Sequence, residues 1–279
     1  MPARWIEIIM LSLYYFENSI CSERPLMVLA EKGITDWVPH HIDLFKREQF
    51  DPTYLQLNPK AQVPTLVHDG NIIRESSLIC DYLDEVYPEP ALKPPNPAGV
   101  ARMREWIKES DEGGFEGVAA LSFTAVFRAK LMAMSDEDRQ AYWNGQTVLE
   151  RTQRQQSCVF EGLNSPYVSR AIACWERIFT KIEKTILEYG PWLMGEQFTL
   201  ADLELSTFVA RLDGLMLIDP WLENRPNARA WWEAIQARPS YAEARVGPSG
   251  TEVEAMRREG SKIVDEFCEK RAVYISNYG

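Results

Sequence analysis

The chain has 279 residues, 46% of them hydrophobic and 25% charged, with a formal net charge of −11. Such a composition supports a real buried core in one large domain or two ordinary ones. The acidic balance disfavours nucleic acid and anionic membrane surfaces as partners. No apolar run approaches the roughly 18 residues of a spanning helix, and the opening MPARWIEIIM lacks the pattern of a signal peptide, so the expectation is a cytoplasmic protein.

Residues 6–16, IEIIMLSLYYF, are β-branched and aromatic and predict a strand. NSICSERP breaks it, and PLMVLAEKG then predicts a helix of about three turns that stops at Gly33. WVPHHI, residues 37–42, reads as a second strand, followed by a polar irregular segment. PTLVHDGNIIRE predicts a hairpin turning at Asp69-Gly70. Ser76 is placed to cap a helix whose apolar residues Leu78, Ile79, Tyr82, Leu83 and Val86 recur at helical spacing until Pro88.

Residues 88–98, PEPALKPPNPA, hold five prolines and predict an extended linker. Beyond it only helices are expected, at about 99–133, 136–157, 166–189, 199–215 and 227–237, with capping-box spacing from Thr199 to Asp202. The charged tail from 251 predicts a helix lying on the surface. The expected domains are therefore an α/β domain over 1–88, a linker over 89–98, an all-helical domain over 99–250 and a helical tail over 251–279.

Five cysteines, Cys21, Cys80, Cys158, Cys174 and Cys268, stand at wide spacings without a CxxC pair. They support neither a zinc knuckle nor a dithiol motif. The three histidines are His40, His41 and His68. On a strand His40 and His41 point to opposite faces, and no metal site is expected.

Three places could carry chemistry. Val63-Pro64 stands just before a hairpin strand. A proline there either starts the strand in the trans form or, in the cis form, turns neighbouring backbone groups toward an extended peptide ligand. Glu75-Ser76 opens a helix whose free N–H groups and dipole suit a ligand carboxylate, with Glu75 available to an ammonium group. Ser19-Ile20-Cys21-Ser22 would set hydroxyls and a thiol at another helix start, where an anion is favoured and a thiol pKa is lowered. The bland alternative is that each serine only caps its own helix.

Taken in order, LYYFENSICSERPLMVLAEKG, LNPKAQVPTLVHDGNIIRESSLICDYLDEVYP and WLMGEQFTLADL resemble the glutathione transferase superfamily over nearly the whole chain. The resemblance implies a thioredoxin-like α/β N-terminal domain followed by an all-α bundle, a homodimer, and glutathione as co-substrate. It implies that Gln62, Val63 and Pro64 meet the tripeptide backbone, that Glu75 and Ser76 hold its γ-glutamyl end, and that Gln49 lies near its glycyl carboxylate. Tyr14 and Tyr15 lie in the strand rather than in the activating loop, so the chain looks like a serine- or cysteine-type member.

Two bacterial subgroups are similar. The β-aryl etherases of lignin breakdown share the insertion beginning MSDEDRQAYW, and there the position of Ser22 steadies the glutathione thiolate. The tetrachlorohydroquinone reductive dehalogenases share ENRPNARAWWEAIQARPSYAEARV, and there the position of Cys21 does redox work. The resemblance thus implies attack of a glutathione thiolate on an activated carbon of an aromatic compound, with cleavage of a β-aryl ether ketone expected first. A Cys21-dependent dehalogenase or thiol transferase, and a non-catalytic ligand-binding module, are the alternatives. Trp106, Phe115, Phe123, Phe127, Trp143, Trp175 and Trp192 are candidates for an aromatic pocket, and Arg128 and Lys130 for a phenolate.

Overall fold

The computed structural model describes residues 11–144, 146, 148–244 and 250–278. Four strands form the N-terminal sheet: β1 (Leu11–Tyr15), β2 (Val38–His41), β3 (Thr65–His68) and β4 (Asn71–Arg74), in the order β2-β1-β3-β4. β2 lies parallel to β1, with Ser12 opposite Val38. A parallel pair requires a crossover, which α1 (Ile20–Glu31) supplies. β3 runs antiparallel to both β1 and β4, and the β3–β4 hairpin turns at Asp69 and Gly70, each at positive φ. Leu11 and Leu13 of β1 and Leu66 of β3 are buried with Met27 and Val28 of α1 and Ile79 and Leu83 of α3 (Ser76–Val86).

α1 begins five residues earlier than the sequence predicts. Pro25 reads as a breaker, yet it lies inside the helix as its sixth residue, within a stretch buried from Ser22 to Leu29, and that packing outweighs the one backbone hydrogen bond the proline removes. Ser19 is the N-cap, and its hydroxyl accepts from the Ser22 N–H at 3.4 Å. The polar segment after β2 contains a short helix, α2 (Pro52–Leu57), which the sequence reading left irregular.

The helical part begins with α4 (Pro97–Glu109), capped by Asn96. The predicted single helix over 99–133 is interrupted twice. A π-turn at Ser110–Gly114 separates α4 from α5 (Phe115–Thr124), and Ala125 breaks the chain before α6 (Val126–Met132). At the π-turn and in α5 the backbone packs close to α9 (Pro166–Tyr189). A Cβ on Gly113 would meet Cys174 Sγ at 2.7 Å, and one on Gly117 would meet Trp175 Nε1 at 2.9 Å. The expected helix over 136–157 is likewise two, α7 (Asp136–Trp143) and α8 (Leu149–Glu161).

α10 (Leu200–Gly214) runs through the middle and is buried nearly all round, as befits a helix with neighbours on every side. Thr199 and Asp202 close the predicted capping box at its start. α11 (Asp219–Leu222), α12 (Pro226–Gln236) and α13 (Pro239–Ala244) follow. The tail forms α14 (Gly250–Ser261) and α15 (Val264–Tyr278). It does more than lie on the surface: Phe267 is fully buried, with its ring 5.1 Å from that of Trp221. Among the described residues no helix is long and apolar enough to cross a membrane.

Candidate functional site

A cleft of about 180 Å³ opens between the sheet domain and the helices. The sheet domain contributes the β1–α1 loop and the chain entering β3; the helices contribute α5, α8 and α10.

The loop at residues 58–64 is held from behind. The Tyr54 hydroxyl donates to the Gln62 carbonyl at 2.6 Å, and Asn58 Nδ2 donates to the same oxygen at 2.8 Å. Both groups also bond Thr65 Oγ1 at 3.0 Å. Burial pushes the Tyr54 phenol up to about 12, so it remains a donor at every physiological pH. Val63-Pro64 is cis. Gln62 and Val63 line the cleft together with Gln49.

Glu75 is the N-cap residue of α3, at φ 67, and its carboxylate pairs with Lys60 Nζ at 2.5 Å in solvent. Ser76 opens the helix proper. Its hydroxyl accepts from Arg24 Nη1 of α1 at 3.2 Å. The two expected loci, the start of α1 and the start of α3, are thereby joined.

The helix start at 19–22 sorts its three candidates by direction. Ser19 and Cys21 line the cleft. Ser22 is fully buried, and its hydroxyl accepts from the Phe16 N–H at 3.3 Å. Ser22 therefore faces the body of its own domain rather than the cleft, contrary to the role expected for it. Ser19 keeps its hydroxyl proton free of the cap, because a capping hydroxyl accepts and can still donate outward. Burial is the largest influence on the Cys21 thiol and raises its pKa above the ordinary value. Arg24, Arg151 and the Ser76 hydroxyl oppose that rise, and Asp111 adds to it.

Of the candidate aromatic residues, Phe115, Phe123 and Phe127 line the cleft, joined by Phe16, Phe45 and Tyr142. Trp106, Trp143 and Trp175 are buried in the core, and Trp192 packs against Phe198 away from the cleft. Arg128 faces a separate hollow beside Gly162 and Glu266. Lys130 lies over the Phe45 ring, 3.2 Å from its centroid.

Three arginines that the sequence reading passed over also line the cleft: Arg151, Arg154 and Arg211. Arg211 Nη2 donates to the Asn18 carbonyl at 2.9 Å and to Asn18 Oδ1 at 2.7 Å, tying α10 to the β1–α1 loop. Arg151, Arg154 and Gln155 recur at i, i+3 and i+4 of a helix, a spacing readable from the sequence as one shared face. Among the described residues no cluster of His, Cys, Asp or Glu could hold a metal ion.

Residues 18–86 match the family model for the glutathione S-transferase N-terminal domain, and residues 165–234 match that for the C-terminal domain. Protein LigF of Sphingobium sp. (strain NBRC 103272 / SYK-6) is 29% identical over 238 residues, covering 84% of this chain and 92% of the relative. The tetrachloro-p-hydroquinone reductive dehalogenase of Sphingobium chlorophenolicum is 24% identical over 249 residues, covering 85% and 96%. The crystal structure of the β-etherase LigF from Sphingobium sp. strain SYK-6 matches with a TM-score of 0.74 and 28% identity, over 84% of this chain and 98% of that one.

Proposed function

Because the chain belongs to the glutathione S-transferase family, we propose that its cleft activates the thiol of glutathione and directs it at an activated carbon of an aromatic compound. The tripeptide lies along Gln62, Val63 and Pro64, with its γ-glutamyl end at Glu75 and Ser76 and its glycyl end near Gln49. Its sulfur sits at the start of α1, where the helix dipole favours the thiolate. Ser19, rather than Ser22, donates to it. A fall of about two pKa units, roughly 2.7 kcal/mol, would leave such a thiol mostly ionised at neutral pH. The observation that carries this reading is the meeting of Ser19, Cys21 and a wall of aromatic rings on one cleft at the α1 N-terminus.

In the etherase version, the thiolate forms a C–S bond at the α-carbon of an aryl ketone as the C–O bond to the β-aryl group breaks. The phenolate leaves with the electron pair and takes a proton from solvent. The ketone polarises the carbon under attack. The likeness to LigF, in sequence and in structure, supports this version. The net rise in the Cys21 pKa also favours it over the reductive version, since a redox thiol must ionise to attack a mixed disulfide.

The assay offers a β-aryl ether ketone and a chlorinated hydroquinone to the enzyme with glutathione. Release of a phenol with formation of the glutathione thioether is expected. Turnover of the chlorinated compound alone would overturn the etherase version. Retention on immobilised glutathione separates either enzyme from a non-catalytic module. A symmetric homodimer belongs to the same reading: Leu78 and Val86, exposed on α3, are the apolar surface that a partner would cover.

A further inference from the structure

The cleft has a charge opposite to that of the protein. In a chain of net charge −11, its wall carries Arg151, Arg154 and Arg211 and no aspartate or glutamate. Arg211 is committed to Asn18. Arg154 Nη1 lies 3.2 Å from Oε1 of Glu116, a largely exposed residue that does not line the cleft. Arg151 stands one helical turn before Arg154 on α8. Burial holds its guanidinium below the ordinary pKa, and repulsion from Arg154 acts in the same direction, opposed by Cys21, Tyr142 and Glu75. Two cations this close on one face of a helix, partly removed from water, repel unless an anion joins them.

The same helix holds an unmet acceptor. Gln155 is more than nine-tenths buried and lines the cleft, and its Oε1 atom has no hydrogen-bond partner. A buried acceptor without a donor is costly, and a ligand hydroxyl would relieve that cost. The aromatic rings, the cations and the acceptor together describe one molecule.

We infer that the second substrate is an aromatic compound bearing a carboxylate, and that Arg151 and Arg154 receive that carboxylate while Gln155 accepts from a hydroxyl beside it. The guanidinium fork matches a carboxylate in plane and spacing better than it matches a single phenolate oxygen. The arginines stand on α8, a helical element that lines the cleft with Phe123 and Phe127, whereas Gln62 and Val63 belong to the chain entering β3. They therefore select the second substrate and leave the tripeptide to the sheet domain. This inference rests on the glutathione transferase reading of the cleft.

The test measures binding rather than turnover. The enzyme, saturated with glutathione, is titrated in a calorimeter with 4-hydroxycinnamate and with its methyl ester. The wild type is expected to bind the anion about tenfold more tightly than the ester, and Arg151→Gln and Arg154→Gln to cut that preference to about twofold or less. Arg151→Lys should keep part of it, and thermal unfolding establishes that each variant is folded. Equal binding of anion and ester by the wild type would overturn the inference, as would a preference that survives in the double glutamine variant. So would loss of glutathione affinity in these variants, since the arginines would then serve the tripeptide. Titration of the wild type with glutathione alone is a separate arm. Failure there would sink the underlying reading of the cleft, which the comparison of acid with ester does not address.

Discussion

Arg24 of α1 and Glu204 of α10 meet across the domain boundary, Nη1 to Oε2 at 3.3 Å, with side chains 1% and 0% exposed. Arg24 also holds Asp111 at 2.5 Å, Ser110 at 2.9 Å and Ser76 at 3.2 Å, and its guanidinium lies 4.2 Å from the centre of the Phe208 ring. One guanidinium thus pins the π-turn, the central helix and the start of α3 together. Asp111 completes the tie by accepting from Ser77 at 2.7 Å.

Both Glu204 oxygens lack hydrogen-bond partners, and burial pushes its carboxyl up to about 8 from an ordinary 4.5. The folded state therefore holds this proton more tightly than the unfolded chain does. The contribution from Glu204 is full below pH 4.5 and is lost as pH rises through about 8. Glu204→Gln removes the dependence. Chemical unfolding at a series of pH values should show the variant gaining on the wild type as pH climbs, with a slope no steeper than about 1.4 kcal/mol per unit. A difference that stays flat across that window would contradict the assignment.

Breaking the node from the other side should cost more. Arg24→Met leaves Asp111 without its cation and, as pH rises through about 8, Glu204 as well, and should destabilise by up to about 3–5 kcal/mol at the alkaline end. The double change Arg24→Met, Glu204→Met should recover much of the loss. Unfolding midpoints of the three variants check both statements.

The directions of Ser19, Cys21 and Ser22 give distinct kinetic outcomes. Ser19→Ala should raise the pKa of bound glutathione, read from thiolate absorbance near 240 nm, and lower turnover roughly ten- to hundredfold, since a hydrogen bond to a charged acceptor is worth about 1.5–3 kcal/mol. Some activity should remain because the helix dipole persists. Ser22→Ala should leave the thiol pKa unchanged and lower stability slightly, through loss of the acceptor for the Phe16 N–H. Cys21→Ser should keep most activity in substitution chemistry. Loss of all turnover in Cys21→Ser, with a trapped glutathionyl adduct, would establish the reductive chemistry instead.

At the proposed γ-glutamyl end, Lys60 already occupies the Glu75 carboxylate. Glu75→Ala should weaken glutathione by about 2 kcal/mol, because a ligand ammonium loses its charged partner. Lys60→Ala removes a competitor for the same carboxylate and should tighten binding or leave it unchanged. Calorimetry on the two variants should thus give effects of unlike size, and equal weakening by both would disprove the competition.

What the sequence discloses here is what local chemistry dictates. Asp69-Gly70 announces its turn and Thr199 with Asp202 their cap, because those residue types satisfy backbone groups within four positions. The interruption at Ser110–Gly114 is not legible, since it depends on Cys174 and Trp175 lying behind Gly113 and Gly117. Pro25 misleads because the packing of the buried α1 outweighs the one hydrogen bond that a proline inside the helix removes. Ser22 and Ser19 stand three apart at a helix start and carry the same hydroxyl. Only the packing of β1 against α1 decides that one points inward and the other into the cleft. Arg24 is hidden for a different reason: an arginine is taken as solvated until its partners, 52 to 180 positions away, are placed around it.

Asp202 carries the last prediction, on stability. Its Oδ2 accepts from the Thr199 N–H and hydroxyl, both at 3.1 Å, and its Oδ1 accepts from the Leu193 N–H at 2.8 Å and from Trp231 Nε1 at 3.0 Å. One carboxylate therefore caps α10, anchors the loop before it and satisfies the indole of α12. Asp202→Ala strands these donors in a fully buried place. The loss of a cap alone costs about 0.5–2 kcal/mol, and a stranded buried donor adds about 1–3 kcal/mol, so the variant should lose at least about 1.5 kcal/mol. Thr199→Ala removes only one side of the box and should cost about 1 kcal/mol. Asp202→Asn keeps one acceptor oxygen and should fall between them. Because α10 is the buried centre against which α1, α4 and α5 pack, the loss should appear as a lowered unfolding midpoint of the whole chain. The measurement is the urea midpoint of each variant followed by tryptophan fluorescence. A rank order in which Thr199→Ala equals or exceeds Asp202→Ala would show that the bonds to Leu193 and Trp231 contribute nothing.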